Sequence, residues 1–252
     1  MSRQLKISII TVTYNNYDGL LATCESLYKQ QKKNFQHIII DGQSTDGSRD
    51  LLKKYGYLGS VIVSETDQGI YDAMNKGLRA AKGDFIGFLN AGDVYCDDMV
   101  LFNLHAKLKS LKVKSRMAIY GNKYYYDKTN KLKRSWRPGK FKKYKYLLGW
   151  MTPHQATYIS SDCYKQLGQY KLNYKIAADY ELMFRFFYKH EVNAIYHDLD
   201  IVRMEDGGLS NANFINIARS NYEVLKSWLH NGFIPPVWIF FTKPISKLFQ
   251  KI

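Results

Sequence analysis

The 252-residue sequence predicts a mixed α/β fold, in which a mainly parallel sheet is flanked by helices. Short apolar runs rich in β-branched residues alternate with helical patterns over the first hundred residues, and each run ends in polar, turn-forming residues. Continuous apolar strands separated by helices are typical of a parallel sheet that is covered on both faces. Hydrophobic residues make up 46% of the chain and charged residues 23%, which excludes a disordered or fibrous protein.

The first half is expected to alternate strand and helix. Strands are predicted at Ile7–Val12, His37–Ile40, Val61–Val63 and Phe85–Leu89. Helices are predicted from a cap at Asn16 or Asp18 to about Gln30, and at Ser48–Tyr55, Gly69–Ala81 and Asp97–Leu111. Apolar or small residues recur three and four positions apart in Gly69–Ala81, so they lie on one face of a helix.

The second half changes character near residue 116, where polar and apolar residues alternate. A period of two is typical of half-buried antiparallel strands. We expect strands at Met117–Tyr126, Lys131–Trp136, Thr157–Ser160 and Ile195–Met204, and helices at Ala177–His190 and Asn211–Leu229. No internal repeat or flexible linker interrupts the chain, so a single domain with a C-terminal extension fits best.

The net charge of +15 is concentrated in one segment, which we call the basic band. Residues 105–147 carry 15 basic residues and one acidic residue, whereas residues 1–104 carry 11 and 12, and residues 148–252 carry 11 and 9. Tyrosine, tryptophan and phenylalanine are interleaved with these lysines and arginines. Such a surface could face nucleic acid, an anionic membrane, an acidic substrate or only solvent, and composition does not choose among them.

Cysteine usage and hydropathy favour a cytoplasmic protein. The three cysteines are far apart and form no CxxC pair, which argues against a disulfide framework and a zinc site. The apolar stretch near the N-terminus is too short and too β-branched for a signal peptide. No segment approaches the roughly 18–20 apolar residues of a membrane-spanning helix.

Polar clusters follow the four predicted strands of the first half, at 13–16, 41–46, 65–69 and 90–93. Ligands of parallel sheets bind outside the carboxyl ends of the strands, so these clusters predict one ligand site. Neither G-x-G-x-x-G nor G-x-x-x-x-G-K-[ST] occurs, so both common phosphate-binding loops are missing. A nucleotide would have to be held by side chains and a metal.

Five segments, in this order and spacing, resemble the inverting glycosyltransferases of family 2, and most closely the bacterial exopolysaccharide and O-antigen enzymes. They read ISIITVTYNN, IIIDGQSTDGS, TDQGIYDAMNKGLRAAKGDFIGFLNAGD, TPHQ and AADYELMFRF. The resemblance covers roughly residues 5–210, is strong in the first hundred residues and is almost absent around 110–150. It implies a GT-A fold, a nucleotide-diphosphate sugar donor that is most often UDP-linked, and a divalent metal.

The resemblance divides the domain into a donor-binding half at 1–104 and an acceptor-binding, catalytic half at 105–230, followed by an amphipathic tail at 231–252. By position, the residues that would hold the base and ribose are Thr11, Tyr14 and Asp41. The other residues that would line the donor site are Asn15, Ser44, Asp67, Lys76 and Asn90. Simpler interpretations exist for three of these side chains. Asp41 could be a turn residue, Asp67 a helix N-cap and Lys76 a solvated lysine.

The predicted metal site departs from the pattern of the family. The family usually has Asp-x-Asp-Asp after the fourth strand, whereas this sequence has Asn90-Ala91-Gly92-Asp93. Mg²⁺ is commonly held by one or two carboxylates together with substrate phosphates and water. The resemblance therefore implies that Asp93 binds Mn²⁺ or Mg²⁺ with the help of the donor's own diphosphate.

The catalytic base implied by the resemblance is Asp179, which follows Ala178 where the family has an acidic pair. Asp179 would deprotonate a hydroxyl of a glycan or of a polyprenyl-diphosphate-linked glycan in bacterial surface polysaccharide synthesis. The alternative for a carboxylate at this place is an N-cap. His154, Glu181 and Arg203 are candidate contacts to the acceptor or to phosphate.

The C-terminal tail and the basic band together favour the cytoplasmic face of a membrane. The tail combines large apolar residues around a Pro-Pro pair with three lysines, a composition suited to lying in a bilayer interface. A terminal helix docked on the core is the alternative. Two rival functions remain at this point: a nucleic-acid-binding protein that uses the basic band, and a sugar nucleotidyltransferase.

Overall fold

The computed structural model describes residues 5–57, 59–111, 116–205, 214–236 and 238–239. Strands and α-helices in these residues follow in the order β1 Ile7–Thr13, α1 Tyr17–Tyr28, β2 Phe35–Asp41, α2 Ser48–Tyr57, β3 Val61–Ser64, α3 Ile70–Ala80, β4 Phe85–Phe88, β5 Val94–Tyr95, α4 Val100–Ser110, β6 Met117–Tyr126, β7 Leu132–Trp136, β8 Thr157–Ser160, α5 Ser161–Leu167, α6 Ala178–Met183, β9 Asn193–Glu205 and α7 Phe214–His230.

One sheet runs through both halves of the described chain, in the order β3-β2-β1-β4-β8-β6-β9-β5, and β7 pairs with β6. Strands β3, β2, β1 and β4 are parallel, and β6 is parallel to β9. The other pairings, including those of β8 with β4 and β6, are antiparallel. The carboxyl ends of β1 to β4 therefore meet at one edge, where the polar clusters were predicted.

Local sequence explains how the helices are fixed on the sheet. The Asn16 side chain caps α1 by accepting a hydrogen bond from Gly19 N at 3.1 Å. Helix α3 lies directly on β1, because Gly77 leaves room for Ile10: a Cβ at Gly77 would come within 2.4 Å of Ile10 Cγ2. A larger residue at position 77 would push α3 away from the sheet.

Two hydrophobic clusters hold the sheet faces. One packs α3, α6 and α7 against the sheet and is rich in aromatic rings such as Phe184 and Trp228. The other packs α4 against the opposite face of the sheet through residues such as Leu104 and Met117. Because the apolar strands are covered on both sides, the α/β architecture predicted from the sequence is confirmed.

Most predicted elements are present with ends shifted by a few residues. The structure adds four short elements that the sequence did not indicate: β5, α5 and 3₁₀ turns at Lys143–Leu148 and His154–Ala156. The predicted helix at Ala177–His190 is α-helical only to Met183 and continues as a π-helical segment, Phe184–Lys189.

Two predictions fall partly outside the described residues, although the helix predicted at Asn211–Leu229 is present as α7 Phe214–His230. The start of the helix predicted at Asn211–Leu229 and most of the tail predicted at 231–252 belong to segments that the structure does not describe. Among the residues it does describe, we find no helix with the length and apolar character needed to cross a membrane.

Candidate active site

The loops after β1 and β2 are joined by side-chain hydrogen bonds. Asn15 N donates to Ser44 Oγ at 2.8 Å, and Asn15 Oδ1 accepts from Thr45 N at 2.8 Å. Asn15 adopts a left-handed backbone conformation with φ of 46°, which asparagine tolerates better than most residues. The predicted donor residues Asn15 and Ser44 thus hold two loops in one position at the sheet edge.

Asp41 is fully buried at the end of β2. Its carboxylate accepts hydrogen bonds from Ser44 N at 3.1 and 3.2 Å and from Ser64 Oγ at 2.6 Å. Asp41 therefore holds the loop after β2 against the end of β3. The turn interpretation explains these contacts, and the predicted contact with a nucleoside stays a prediction.

Tyr14 and Asp67 lie on either side of Gly42, just after β2. Tyr14 is 67% exposed, although it is a large aromatic residue. A Cβ at Gly42 would lie 3.1 Å from the Tyr14 ring and 3.1 Å from an Asp67 carboxylate oxygen, so both side chains flank this glycine. An exposed ring beside a carboxylate can stack on a nucleobase and accept a hydrogen bond from it.

Lys76 and Asp67 belong to one ion-pair cluster. Lys76 Nζ lies 2.6 Å from Asp67 Oδ1 and 3.0 Å from Glu65 Oε1, and donates to the Thr66 carbonyl at 2.6 Å. The N-cap of α3 is Gly69, so the N-cap interpretation of Asp67 is wrong. The interpretation of Lys76 as a solvated lysine is wrong too, because its ammonium is held by acidic partners. Those partners leave it little freedom to reach a phosphate.

Thr11 lies inside the sheet rather than at its edge. It is fully buried, and its Oγ1 lies 3.0 Å from His37 Nε2. Burial lowers the pKa of His37 to about 3, so this pair is neutral. The placement of Thr11 argues against the predicted nucleotide contact. Two residues later, the buried Thr13 hydroxyl has no hydrogen-bond partner among the described residues and is the better candidate.

Asn90 and Asp93 follow β4 at the same edge. Thr23 Oγ1 donates to both backbone carbonyls, at 3.1 Å for Asn90 and 2.8 Å for Asp93, which fixes the turn. Asp93 is only 4% exposed, and burial raises its pKa to about 6, although the charge of Lys123 acts in the opposite direction. The buried Asn90 Oδ1 has no hydrogen-bond partner in the described part of the chain.

His154 lies beside this turn and is held rigidly. It is buried, its ring stacks on Phe88 with centroids 5.2 Å apart, and its Nε2 lies 2.5 Å from Tyr170 Oη. Burial and the charge of Lys123 lower the pKa of His154 to about 3, so the imidazole is neutral. The backbone of Tyr170 is in turn fixed by the Asn75 side chain, through bonds of 2.9 and 3.0 Å.

Asp179 is close enough for its charge to act on the Tyr170 hydroxyl. It is in the first turn of α6, whose N-cap is Ala177, so Asp179 is not the N-cap. Asp179 Oδ1 accepts a hydrogen bond from Tyr180 N at 2.8 Å. The Tyr71 and Tyr170 rings stack with centroids 5.7 Å apart, and the pKa of both hydroxyls is raised by burial and by nearby charges that include Asp179.

Glu223 fixes the loop that leads to Asp179. This carboxylate on α7 is only 4% exposed and accepts hydrogen bonds from three successive backbone amides, at residues 175, 176 and 177, over 2.8 to 2.9 Å. One side chain thereby satisfies the amides that precede α6. The direction in which α6 presents Asp179 follows from this contact.

Glu181 and Arg203 lie away from this group. Glu181 is fully buried, and its carboxylate contacts Arg185 at 3.0 Å and Lys171 at 2.9 Å. Burial alone would raise the pKa of Glu181, but these two cations outweigh it and lower the pKa. Arg203 lines a groove of about 380 Å³ beside α1 and lies 5.6 Å over the Tyr126 ring. Neither placement supports the predicted acceptor contact.

The model of the family described as Glycosyl transferase family 2 matches residues 8–167. The chain belongs to glycosyl transferase family 2. An uncharacterized glycosyltransferase of Mycobacterium tuberculosis is 33% identical over 181 residues, which cover 71% of this chain and 68% of that protein. A PGL/p-HBAD biosynthesis glycosyltransferase of Mycobacterium bovis is 30% identical over 215 residues, covering 81% and 78% of the two chains.

Solved structures place the fold of this glycosyltransferase among the GT-A enzymes. Residues 1–349 of TarS from S. aureus, in complex with UDP-GlcNAc, match with a TM-score of 0.71 at 15% identity, covering 96% of this chain and 73% of that chain. The mannosyltransferase PcManGT from Pyrobaculum calidifontis, in complex with GDP-Man and Mn²⁺, gives 0.68 at 17% identity, with coverages of 96% and 70%. The match to a longer TarS chain covers 88% of this chain but only 38% of that chain, so this chain spans less than half the length of that protein.

The residues after β4 of this glycosyltransferase fit a divalent cation only in part. Asp93 is one carboxylate, and the unpartnered Asn90 Oδ1 is a second hard oxygen of the kind that Mg²⁺ and Mn²⁺ accept. Among the described residues, no group of three or more His, Cys, Asp or Glu side chains could hold a metal ion. The pair fits a cation that takes most of its ligands from a bound diphosphate and water.

Three residues of this site were not recognised in the sequence. Tyr170 lies in an irregular segment, and Glu223 and Lys123 occupy ordinary helix and strand positions. Their contacts depend on tertiary packing, and no local spacing indicates them. For Thr13, its position at the end of the first strand was an available signal.

Proposed function

We propose that this glycosyltransferase moves a hexosyl or N-acetylhexosaminyl group from a UDP-linked donor to a hydroxyl of a glycan or lipid-linked glycan, with inversion, in bacterial surface polysaccharide synthesis. One observation carries the proposal: His154, whose ring stacks on Phe88 at the end of β4, contacts the Tyr170 hydroxyl, and the charge of Asp179 acts on that same hydroxyl. A donor at the edge with Tyr14 and Asp93 would have its sugar near Asp179. The complex of TarS with UDP-GlcNAc supports a uridine donor.

In the proposed reaction, the Asp179 carboxylate takes the proton of the acceptor hydroxyl. The oxygen attacks the anomeric carbon from the face opposite the leaving group. The new C–O bond forms while the bond between that carbon and the diphosphate oxygen breaks, and both electrons of the broken bond leave with UDP. Neutral His154, fixed between Phe88 and Tyr170, would support the floor of the site without changing charge.

Asp93 and Asn90 would hold a divalent cation against the donor diphosphate. When bound, such a cation supplies positive charge that stabilises the departing diphosphate. Asp93→Asn is expected to bind UDP equally with and without Mn²⁺, whereas the wild type should bind it more tightly with Mn²⁺. Isothermal titration calorimetry with and without a chelator measures this difference, and Asp98→Asn serves as the control. An Mn²⁺ effect that survives in Asp93→Asn would contradict the assignment.

The acceptor is proposed to approach the enzyme at an anionic membrane on the cytoplasmic side. In the described residues, the tail contacts the end of the basic band, because Trp238 Nε1 donates to the Leu147 carbonyl at 3.0 Å. Tyr144 of the band and Leu148, which follows it, are exposed. Ile234, in the described part of the tail, is 89% exposed. Exposed apolar side chains flanked by lysines suit the headgroup region of an anionic bilayer.

A panel of UDP-sugars, offered with Mn²⁺ and a lipid-linked glycan fraction, tests the proposed reaction. We expect release of UDP that depends on one donor sugar and on the acceptor. A sugar nucleotidyltransferase would release pyrophosphate instead, and a nucleic-acid-binding protein would turn over no donor and would bind oligonucleotides with steep salt dependence. Either result would overturn the proposal.

A further inference from the structure

Lys123 is a buried lysine on β6, only 4% exposed. Lysine is rarely buried in proteins unless a carboxylate pairs with it. Within the residues that the structure describes, no carboxylate oxygen lies within ion-pair distance of Lys123 Nζ. Its contacts are a hydrogen bond of 2.6 Å to Gln155 Oε1 and the Tyr125 ring, whose centroid is 4.7 Å away. Neither the neutral amide nor the ring is an ion-pair partner.

The pairing of strands β6, β9 and β5 brings Lys123 towards the segment that contains Asp93. Lys123 pairs with Val202 on β9, and Val202 pairs with Tyr95 on β5, two residues after Asp93. Gln155, which holds the ammonium, is the neighbour of His154 in the turn before β8. The charge of Lys123 is felt by both Asp93 and His154. The ammonium therefore lies among the residues proposed to surround the donor diphosphate.

We propose that Lys123 binds the diphosphate of the nucleotide-sugar donor and stabilises the negative charge that develops on it as the sugar leaves. The assignment rests on the proposed function, because it takes the donor to lie at the edge that carries Asp93. It gives the site a fixed positive charge where the sequence has only one of the usual carboxylates for a metal. Lys76, a lysine predicted to line the donor site, is already paired with Glu65 and Asp67.

The chemistry of Lys123 suits this role. Most of the free-energy cost of removing water from a buried ammonium is incurred when the protein folds. A phosphate oxygen that takes the place of the lost water is therefore bound strongly. The hydrogen bond to Gln155 fixes the side chain without neutralising it. A charge already in position needs no reorganisation when the diphosphate departs.

Comparing UDP with uridine tests the proposal, since only UDP carries the diphosphate. In the presence of a chelator, Lys123→Met should weaken UDP binding about 10- to 100-fold, as expected for loss of a charged hydrogen bond, and leave uridine binding unchanged. Lys133→Met, at an exposed lysine of the neighbouring strand β7, is the control and should change neither. Titration calorimetry measures the affinity of the wild type and of each variant for UDP and for uridine.

A second variant leaves the lysine in place. Gln155→Glu puts a carboxylate where the amide oxygen lies 2.6 Å from Nζ, with almost no change in shape. This carboxylate would pair with Lys123 and compete with the diphosphate, so UDP binding should weaken while uridine binding persists. This variant tests the role of Lys123 even if Lys123→Met does not fold.

Two results would overturn the role of Lys123. One is UDP binding that is unchanged in Gln155→Glu or in folded Lys123→Met. The other is equal weakening of UDP and uridine binding in Gln155→Glu. A wild-type protein that binds neither UDP nor uridine would instead contradict the uridine donor of the proposed function, and the assignment of Lys123 would fall with it.

Discussion

Buried polar residues at the strand ends differ in whether the protein itself satisfies them. Asp41 receives hydrogen bonds from Ser44 and Ser64 and holds a loop. The Asn90 amide oxygen and the Thr13 hydroxyl have no partner among the described residues, although they are buried. Leaving a buried polar group unpaired costs about 1–3 kcal/mol, so such groups point to a ligand.

The sequence predicted which edge of the sheet carries the polar side chains, but not which of those side chains are paired within the protein. Four polar clusters after four strands predicted a ligand site at this edge; the structure confirms that the four strand ends meet there, and the ligand site itself stays a prediction. Whether Asp67 pairs with Lys76, or Thr11 with His37, depends on contacts between segments that are distant in sequence. No spacing rule indicates those contacts, so the predicted list included residues that the structure shows to be paired within the protein.

The buried His37 predicts how stability depends on pH. Its pKa is lowered to about 3 by burial, so the unfolded chain binds a proton below its ordinary pKa of about 6.5 while the folded chain does not. Stability is therefore retained above about pH 6.5 and falls as the pH drops towards 3. Between pH 7.5 and 5, His37 should account for about 2 kcal/mol of this loss.

Replacing His37 isolates that contribution. The amide of His37→Gln can keep contacts to Thr11 and Ser60 without titrating. Urea unfolding at pH 7.5 and at pH 5 should then show a difference in the free energy of unfolding that is smaller than in the wild type by about 2 kcal/mol. An identical pH dependence in the two proteins would show that His37 is not buried in its neutral form.

At the scale of elements, secondary structure followed the sequence where local pattern and tertiary packing agree. Strands β1 to β4 are continuous apolar runs, and their predicted positions were confirmed within a few residues. The two-residue strand β5 exists only because β9 pairs with it, and the π-helical segment after Met183 arises within the aromatic cluster around Phe184. No local sequence pattern indicates either of these two elements.

The contact of Glu223 with the loop before α6 predicts a positioning effect. Glu223→Gln loses the charge that holds the amides of residues 175–177, so the free energy of unfolding should fall by about 1–3 kcal/mol. Because this loop orients Asp179, kcat should fall while the affinity for UDP stays unchanged. Denaturant unfolding, steady-state kinetics and UDP titration measure the three quantities.

The control for this substitution is Glu191→Gln, at an exposed carboxylate that pairs with Lys143 on the surface. It should change neither stability nor kcat appreciably, because exposed ion pairs contribute little. If Glu223→Gln weakens UDP binding as much as it lowers kcat, Glu223 acts on the whole fold and is not specific to Asp179.

At the scale of the whole molecule, charge is distributed unevenly along the chain. Residues 1–104 include 11 basic and 12 acidic residues, whereas the basic band at 105–147 includes 15 basic residues and one acidic residue. The sequence showed this asymmetry but could not place the band relative to the tail. The hydrogen bond from Trp238 to Leu147 places the described start of the tail on the band, so the two features form one surface.

This surface predicts binding to anionic vesicles. The wild type should float with vesicles of phosphatidylglycerol and phosphatidylcholine, but not with phosphatidylcholine alone. Lys140→Gln combined with Lys142→Gln should weaken binding at least tenfold, since each basic residue contributes about 1 kcal/mol near anionic lipid. Lys53→Gln combined with Lys54→Gln, two exposed lysines of α2, should have little effect. Equal losses in both double variants would contradict a specific surface.

The central claim, that Asp179 is the base of a sugar transfer to an acceptor hydroxyl, is tested most directly with Asp179→Asn, using the donor that the wild type accepts. We expect the rate of UDP release in the presence of acceptor to fall about 100- to 10,000-fold, the usual contribution of a general base, while UDP binding stays unchanged. Asp162→Asn, at a surface carboxylate paired with Lys165, should retain full activity. Transfer at the wild-type rate by Asp179→Asn would contradict the claim.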